Sequence, residues 1–90
     1  MQPNFAKAHN NLGITLKELG RLKAAEVNFR KAIALKPAYA NAHYNLGAIL
    51  EKLGKLSLAE VSYKQAIAIQ PNFAEAYNNL GNTLKDLGRL

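Results

Sequence analysis

The chain repeats itself with a period of 34 residues, and this period constrains the fold more than any other feature of the sequence. The repeated positions include Pro3, Pro37 and Pro71; Gly13, Gly47 and Gly81; Gly20, Gly54 and Gly88; and Leu12, Leu46 and Leu80. Such a period is typical of stacked arrays, in which one unit cannot bury its apolar face alone and its neighbours cover it. A single globular core would not produce it.

Each period contains two helical patterns. Leu12 and Leu16 share one face of the first helix and are expected in the core, and Phe29 and Ile33 share one face of the second. Gly20 ends the first helix in a left-handed cap, and proline ends the second because it disfavours helix in the residue before it. The patterns predict helices over residues 5–19, 23–36, 39–53, 57–70 and 73–87.

Side-chain caps are predicted at three helix starts. Asn4 and Asn72 each follow a proline by one residue, where an Asn side chain can accept a hydrogen bond from a free backbone N–H. Ser57 and Glu60 have the spacing of a capping box for the fourth helix.

The period, the Asn-Leu-Gly of the first helix, the Ala and Phe or Tyr of the second helix and the closing proline resemble the tetratricopeptide repeat (TPR) family over nearly the whole chain. The sequence style further resembles the TPR superhelix of O-linked N-acetylglucosamine transferases and related bacterial TPR proteins. Only the early aromatic position, often Trp in the family, departs: His9, His43 and Tyr77 stand there.

The resemblance implies an all-α fold, an α-solenoid of stacked antiparallel helix pairs that forms a right-handed superhelical segment. One array of about two and a half units is expected over residues 1–90, with repeat 1 at 6–39, repeat 2 at 40–73 and a half repeat at 74–90. We call the first helix of each repeat the A helix and the second the B helix.

Composition limits the environment of the chain. None of the 90 residues is cysteine, which removes disulfides, thiolate metal sites and cysteine nucleophiles. No apolar run approaches the roughly 20 residues that span a bilayer, and no signal peptide is visible at the start. We therefore predict a soluble protein with no membrane partner and take the cytoplasm as its expected compartment.

The sequence offers no convergent catalytic group. The only histidines, His9 and His43, hold equivalent positions in neighbouring repeats, and neighbouring helices lie about 8–10 Å apart, so packing roles are expected. No Ser or Thr has a His–acid pair in view, and the glycines act as helix stops instead of a phosphate loop. We predict no enzyme, no cofactor and no metal site.

The formal charge of +6 raises the question of nucleic acid. Helical repeats that read one base each need basic residues along one face. The equivalent inner positions instead mix signs: Lys7, Asn41 and Glu75 at one level, and Glu18, Lys52 and Asp86 at another. Basic residues near helix C-termini are also favoured by the helix dipole. Nucleic acid is therefore disfavoured as a partner.

Asparagine stands at one position of every A helix, as Asn11, Asn45 and Asn79, which we call the ladder asparagines. Asn weakens a helix by roughly 0.5–0.7 kcal/mol relative to Ala, so its recurrence needs a reason. An amide can bond both the C=O and the N–H of a peptide unit. The resemblance implies that A helices line a concave groove in which these asparagines hold the backbone of an extended peptide.

The positions around the ladder vary between repeats, and we predict that they contact the side chains of the peptide. They are Asn10, Tyr44 and Asn78 on one side and Ile14, Ala48 and Asn82 on the other. The alternative is that duplication copied the asparagines. Duplication alone would also have copied these neighbours, which differ between repeats.

A second family binding mode, the carboxylate clamp for chaperone C-termini, fits poorly. The matching positions are Asn10, Ile14, Asn45, Glu75 and Asn79. Only Asn45 agrees with the clamp pattern, and Glu75 would repel a carboxylate. We predict that the chain does not bind such a tail by a clamp.

The two ends of the chain fall inside repeats, so we expect a segment cut from a longer array. The start matches residues 69–74, and the last residue aligns with Leu22 and Leu56, where a B helix begins. The last A helix then carries Leu80, Leu84 and Leu87 without a B helix to cover them, and these three residues with Leu90 are the predicted self-association residues. Uncovered complementary ends favour head-to-tail self-association, which makes a structural superhelix segment the alternative function.

Overall fold

A computed structural model describes residues 4–89 of the chain, and helix is the only regular secondary structure there. Its elements are α1 (Phe5–Glu18), α2 (Leu22–Leu35), α3 (Ala40–Lys52), α4 (Leu56–Ile69) and α5 (Ala74–Asp86). Every predicted bound lies within one residue of the observed one. α1 packs on α2 and α3 on α4 as antiparallel pairs, and α5 packs on α4, which confirms an α-solenoid of about two and a half repeats.

Glycine ends each A helix as predicted. Gly20, Gly54 and Gly88 have φ angles of 77°, 77° and 76°, a region that an L side chain rarely adopts. After α1, the backbone N–H of Gly20 donates to Lys17 O at 2.9 Å and that of Arg21 donates to Leu16 O at 2.8 Å. These two bonds form a Schellman motif, which turns the chain into the next helix.

The helix starts differ from the prediction. Asn4 caps α1 and accepts from Lys7 N at 3.0 Å, as expected. The Asn72 cap and the Ser57 capping box are wrong, because α5 starts after Phe73 and α4 starts after Lys55, with no side-chain cap at either. The glycine turn places Ser57 inside the first turn of α4, so the turn fixes that start in place of a side chain.

An aromatic ring of each B helix lies directly against a glycine of its A helix. A Cβ built on Gly13 would stand 2.5 Å from Cε1 of Phe29, and one on Gly47 would stand 2.7 Å from Cε1 of Tyr63. Both rings are fully buried. Glycine therefore lets the two helices of a repeat approach more closely than any side chain would allow.

Alanine substitution of these glycines tests the close approach, and Gly81 provides the matched control because its Cβ would meet nothing within 4 Å. We expect Gly13→Ala and Gly47→Ala to destabilise the protein, since overpacking costs about 1–3 kcal/mol. Gly81→Ala should stabilise it by up to about 1 kcal/mol through helix propensity. Urea unfolding followed by circular dichroism measures the difference; equal effects at the three positions would contradict the packing argument.

Ion pairs connect consecutive repeats at equivalent positions. Glu26 pairs with Arg30 on its own helix at 3.0 Å and with Lys55 after α3 at 3.7 Å. Glu60 pairs in the same way with Lys64 at 2.9 Å and with Arg89 after α5. Each glutamate thus joins a B helix to the turn of the next repeat.

The pair at Glu60 predicts an acid-dependent stability. The hydrogen bond from Lys64, with the nearby Arg89 charge, holds the pKa of Glu60 below its ordinary value of 4.5. The folded state therefore binds this proton less readily than the unfolded state, and the stabilisation present above pH 4.5 is lost as the pH falls through the lowered pKa.

We expect the free energy of unfolding of Glu60→Gln to fall less between pH 6 and pH 3 than that of the unchanged protein. Glu75→Gln is the control, since Glu75 is exposed and lies outside these pairs. Denaturant titrations at several pH values measure the slopes. An identical pH dependence in Glu60→Gln and the unchanged protein would show that the pair adds nothing.

Candidate functional site

The ladder asparagines lie on three A helices of the array. Asn11 on α1 is exposed, whereas Asn45 on α3 and Asn79 on α5 are half-buried. This difference follows from the stacking, because α3 and α5 each pack beside an earlier A helix of the described chain. Equivalent residues in the sequence are thus unequal in their surroundings.

Two hydrogen bonds join neighbouring A helices, and a ladder asparagine donates each of them. Asn45 Nδ2 donates to Asn10 Oδ1 at 3.0 Å, and Asn79 Nδ2 donates to the hydroxyl of Tyr44 at 3.1 Å. Donor and acceptor are 35 residues apart in both cases. The ladder position therefore bonds to the residue before the ladder position of the preceding repeat.

A polar network surrounds Asn79 at the second junction between repeats. The Tyr63 hydroxyl donates to Glu51 Oε1 at 2.8 Å, and Thr83 Oγ1 reaches the same oxygen at 3.4 Å. Asn79 Nδ2 also lies 3.4 Å from the Tyr63 oxygen. Burial, together with the hydrogen bond to Glu51, raises the pKa of Tyr63 above its ordinary value, so this hydroxyl stays protonated.

The predicted flanking positions divide into internal and exposed residues. Asn10 is only 4% exposed and is engaged by Asn45, so it offers almost no surface to a ligand. The ring of Tyr44 stacks on Phe73, with centroids 5.0 Å apart, and lies 5.9 Å from that of Tyr63. The other predicted contacts are half-buried (Ile14, Ala48) or exposed (Asn78, Asn82).

Sequence reasoning missed the role of Asn10 and Tyr44 as acceptors between repeats. The signal available was chemical. Both side chains present an oxygen that accepts a hydrogen bond, although one is an amide and the other a phenol. For Tyr44, contact with a ligand side chain thus remains a proposal. Asn10 exposes too little surface for such a contact.

The charged groups on the A helices near the ladder are exposed and of mixed sign. They are Lys7 on α1, Lys52 on α3 and Glu75 and Asp86 on α5, with Glu18 at the end of α1. A ligand that lay across the three helices would meet no continuous charge. Recognition by hydrogen bonds to the backbone is compatible with such a surface.

The histidines have separate partners within the fold. His9 Nδ1 donates to Asn28 Oδ1 at 3.1 Å, and His43 Nε2 donates to the carbonyl of Pro37 at 2.9 Å. Between residues 4 and 89, no group of three or more His, Cys, Asp or Glu side chains could hold a metal ion. Each histidine links its A helix to a neighbouring segment, as a packing residue would.

A cleft of the described chain lies away from the ladder. It has a volume of about 480 Å³ and opens between α2 and α4, beside α3. Ile33, His43 and Val61 are among the residues that line it, and no ladder asparagine does. The ladder thus lies outside this cleft.

The two ends of the array expose large apolar or aromatic side chains. Leu12 on α1 is 48% exposed, contrary to the predicted core role, whereas Leu46 on α3 is 4% exposed because α2 covers it. On α5, Tyr77 is 52% exposed, and the space above Gly81 is open. The predicted association residues Leu80, Leu84 and Leu87 are half-buried, and Leu90 lies outside the described residues.

Alanine at the ladder positions tests the hydrogen bonds between repeats, with Asn11 as the matched control. Asn11→Ala should stabilise the protein by about 0.5 kcal/mol through helix propensity alone. Asn45→Ala and Asn79→Ala should destabilise it by about 1 kcal/mol or more, because they leave half-buried partners unpaired. Urea unfolding measures all three; a gain in stability at every position would mean that the bonds contribute nothing.

Three models of one family match the chain. The model described as "TPR repeat" matches residues 15–54, and two described as "Tetratricopeptide repeat" match residues 40–73 and 62–90. Together with the helix pairs and the 34-residue period, these matches define the class. The chain belongs to the tetratricopeptide repeat family.

Solved structures share the fold closely. MamA superposes with a TM-score of 0.92 at 31% identity over 97% of this chain and 52% of MamA. The first TPR of Spaghetti (RPAP3), bound to the HSP90 peptide SRMEEVD, superposes with a TM-score of 0.92 at 28% identity over 97% of this chain and 69% of that one. The chain thus spans about half the length of MamA. No curated protein matches it.

The family and the fold are those of a scaffold for protein–protein interaction, and TPR proteins are generally non-catalytic interaction modules. The RPAP3 repeat domain is similar in fold and is itself bound to a peptide. Within the described part of the chain, no helix has the length and apolar character needed to cross a membrane.

Proposed function

We propose that this chain binds an extended peptide segment of a partner protein across α1, α3 and α5, through the ladder asparagines Asn11, Asn45 and Asn79. The observation that carries the proposal is the equivalent placement of three amides on A helices that are joined by hydrogen bonds. The amides of Asn45 and Asn79 are held in place before any ligand arrives, which reduces the cost of ordering the site.

The surroundings of the ladder favour recognition of backbone over side chains. Exposed charges of both signs lie beside it, and the residues at one flanking position change from Ile14 to Ala48 to Asn82. Such a surface selects weakly among side chains. Amide groups bond any peptide unit, since each carries two donors and an acceptor.

Nuclear magnetic resonance of the ¹⁵N-labelled chain tests the proposal. The probe is an acetylated and amidated nonapeptide, (Thr-Ser-Ala)₃, whose small side chains and neutral ends leave the backbone as the main recognition element. We expect shifts of the side-chain amide signals of the three ladder asparagines, with weak affinity because few contacts must offset the ordering of the peptide.

Asn11→Ala supplies the variant for this test, because it keeps both hydrogen bonds between repeats. It should weaken binding several-fold. Asn72→Ala, at an exposed position before α5, is the control and should leave binding unchanged. If the ladder amide signals stay unmoved at millimolar peptide, the proposal fails.

A comparison with the peptide SRMEEVD separates this mode from a carboxylate clamp. RPAP3 binds that peptide. Here Ile14 and Glu75 stand at clamp positions, and Glu75 is exposed. We expect the free carboxylate of SRMEEVD to give no advantage over its C-terminal amide; a clear preference for the free acid would indicate a clamp instead.

Self-association through the ends is the second candidate function, and the exposed Leu12 and Tyr77 favour it. An α1 end and an α5 end that meet would bury both residues, as packing buries Leu46 within the array. Sedimentation velocity at increasing concentration should show reversible association that Leu12→Lys and Tyr77→Lys abolish. Val27→Lys, on an exposed B-helix position, is the control; a monomer at all concentrations would refute this function.

A further inference from the structure

The orientation of the Asn79 amide is imposed by its surroundings. The Tyr63 hydroxyl has one proton, and that proton is directed at Glu51 Oε1, 2.8 Å away. The Tyr63 oxygen can therefore only accept from Asn79, so the amide must turn its Nδ2 towards it, as observed at 3.4 Å. The same Nδ2 also reaches the Tyr44 oxygen at 3.1 Å.

The two N–H groups of Asn79 are thus directed into the fold at two phenol oxygens. Asn45 directs one N–H of its Nδ2 at Asn10 Oδ1, 3.0 Å away. In a planar amide the oxygen lies on the opposite branch from the nitrogen. Among the described residues, the bonds of these two amides use only Nδ2, and no buried polar side-chain atom lacks a partner. Both Oδ1 atoms therefore face solvent.

We propose that Asn45 and Asn79 present hydrogen-bond acceptors to the ligand, so that at these two positions the ladder recognises backbone N–H groups of an extended chain. This inference rests on the proposed function and specifies its chemistry. Tyr63 is a positioning residue for Asn79, because its committed proton fixes the amide orientation.

The spacing of the ladder favours a polyproline II ligand backbone. Packed helices lie about 8–10 Å apart. A polyproline II chain rises about 3.1 Å per residue with three residues per turn, so every third N–H points the same way at intervals of about 9.3 Å. An extended β-strand presents same-side groups at intervals of about 6.6–6.8 Å, which fits the ladder less well.

A pair of probes tests which backbone group is recognised. The first is the acetylated and amidated (Thr-Ser-Ala)₃ nonapeptide, and the second is capped nonaproline, which adopts the polyproline II conformation and keeps every carbonyl but has no backbone N–H. We expect the first to bind and nonaproline to bind more weakly. Three further variants of (Thr-Ser-Ala)₃ carry an ester in place of the backbone N–H at every third residue, at the Thr, the Ser or the Ala positions. One of the three should bind about five-fold more weakly for each hydrogen bond lost, and the other two should bind almost as well as the parent peptide.

Two tyrosine variants test the positioning role. Tyr63→Phe keeps the ring, as Phe29 does at the equivalent position, but frees the Asn79 amide to turn over, since Tyr44 can donate as well as accept. It should reduce the preference for (Thr-Ser-Ala)₃ over nonaproline. The exposed control Tyr77→Phe lies outside this network and should keep the preference.

The outcomes separate this inference from the proposed function. Binding of (Thr-Ser-Ala)₃, with weaker binding by nonaproline and by the esters of one register, supports both. Equal binding of nonaproline at the ladder amides would keep the proposed function and overturn the acceptor assignment. Absence of binding by both probes would overturn the proposed function, and the inference with it. Unchanged selectivity in Tyr63→Phe, in a variant whose circular dichroism shows an intact fold, would refute the positioning role.

Discussion

The contact of a buried aromatic ring with a helix glycine is the interaction on which the rest of the array depends. Phe29 on Gly13 and Tyr63 on Gly47 bring each A helix and B helix together at a distance that a Cβ would prevent. The next A helix then packs against the B helix of this pair. Only with the pairs in this position do Asn45 and Asn79 come within 3.0 and 3.1 Å of acceptors in the preceding repeat.

Two kinds of contact hold consecutive repeats in register, and they lie on different helices. On the B helices, Glu26 and Glu60 each form an ion pair with a basic side chain from the turn of the next repeat. On the A helices, Asn45 and Asn79 each donate a hydrogen bond to an acceptor in the preceding repeat. Exposed ion pairs contribute little by themselves. The half-buried amide bonds cost more to break, because their partners lose hydrogen bonds that water cannot fully replace.

The sequence predicts the fold well because the evidence for it is local. The 34-residue period, the spacing of Phe29 and Ile33 and the glycine stops each act within one or two helices, and the helix bounds follow to within one residue. The caps at Ser57 and Asn72 were wrong because the preceding turn decides where the helix begins. The acceptor role of Tyr44 was missed: its oxygen is evident from the sequence, but its contact with Asn79 joins side chains 35 residues apart that meet only after the repeats stack.

The structure gives the recurring asparagines two different explanations. For Asn45 and Asn79, a hydrogen bond to the preceding repeat, worth about 1 kcal/mol, offsets a helix-propensity cost of roughly 0.6 kcal/mol. Duplication alone does not account for these contacts, because the acceptor changed from Asn10 to Tyr44 while the donor stayed the same. Asn11 is exposed and makes no such bond within the described chain, because no A helix precedes α1 there. Within the described chain its amide is therefore held by no hydrogen bond to a neighbouring repeat, and its two donors and its acceptor are open to a ligand.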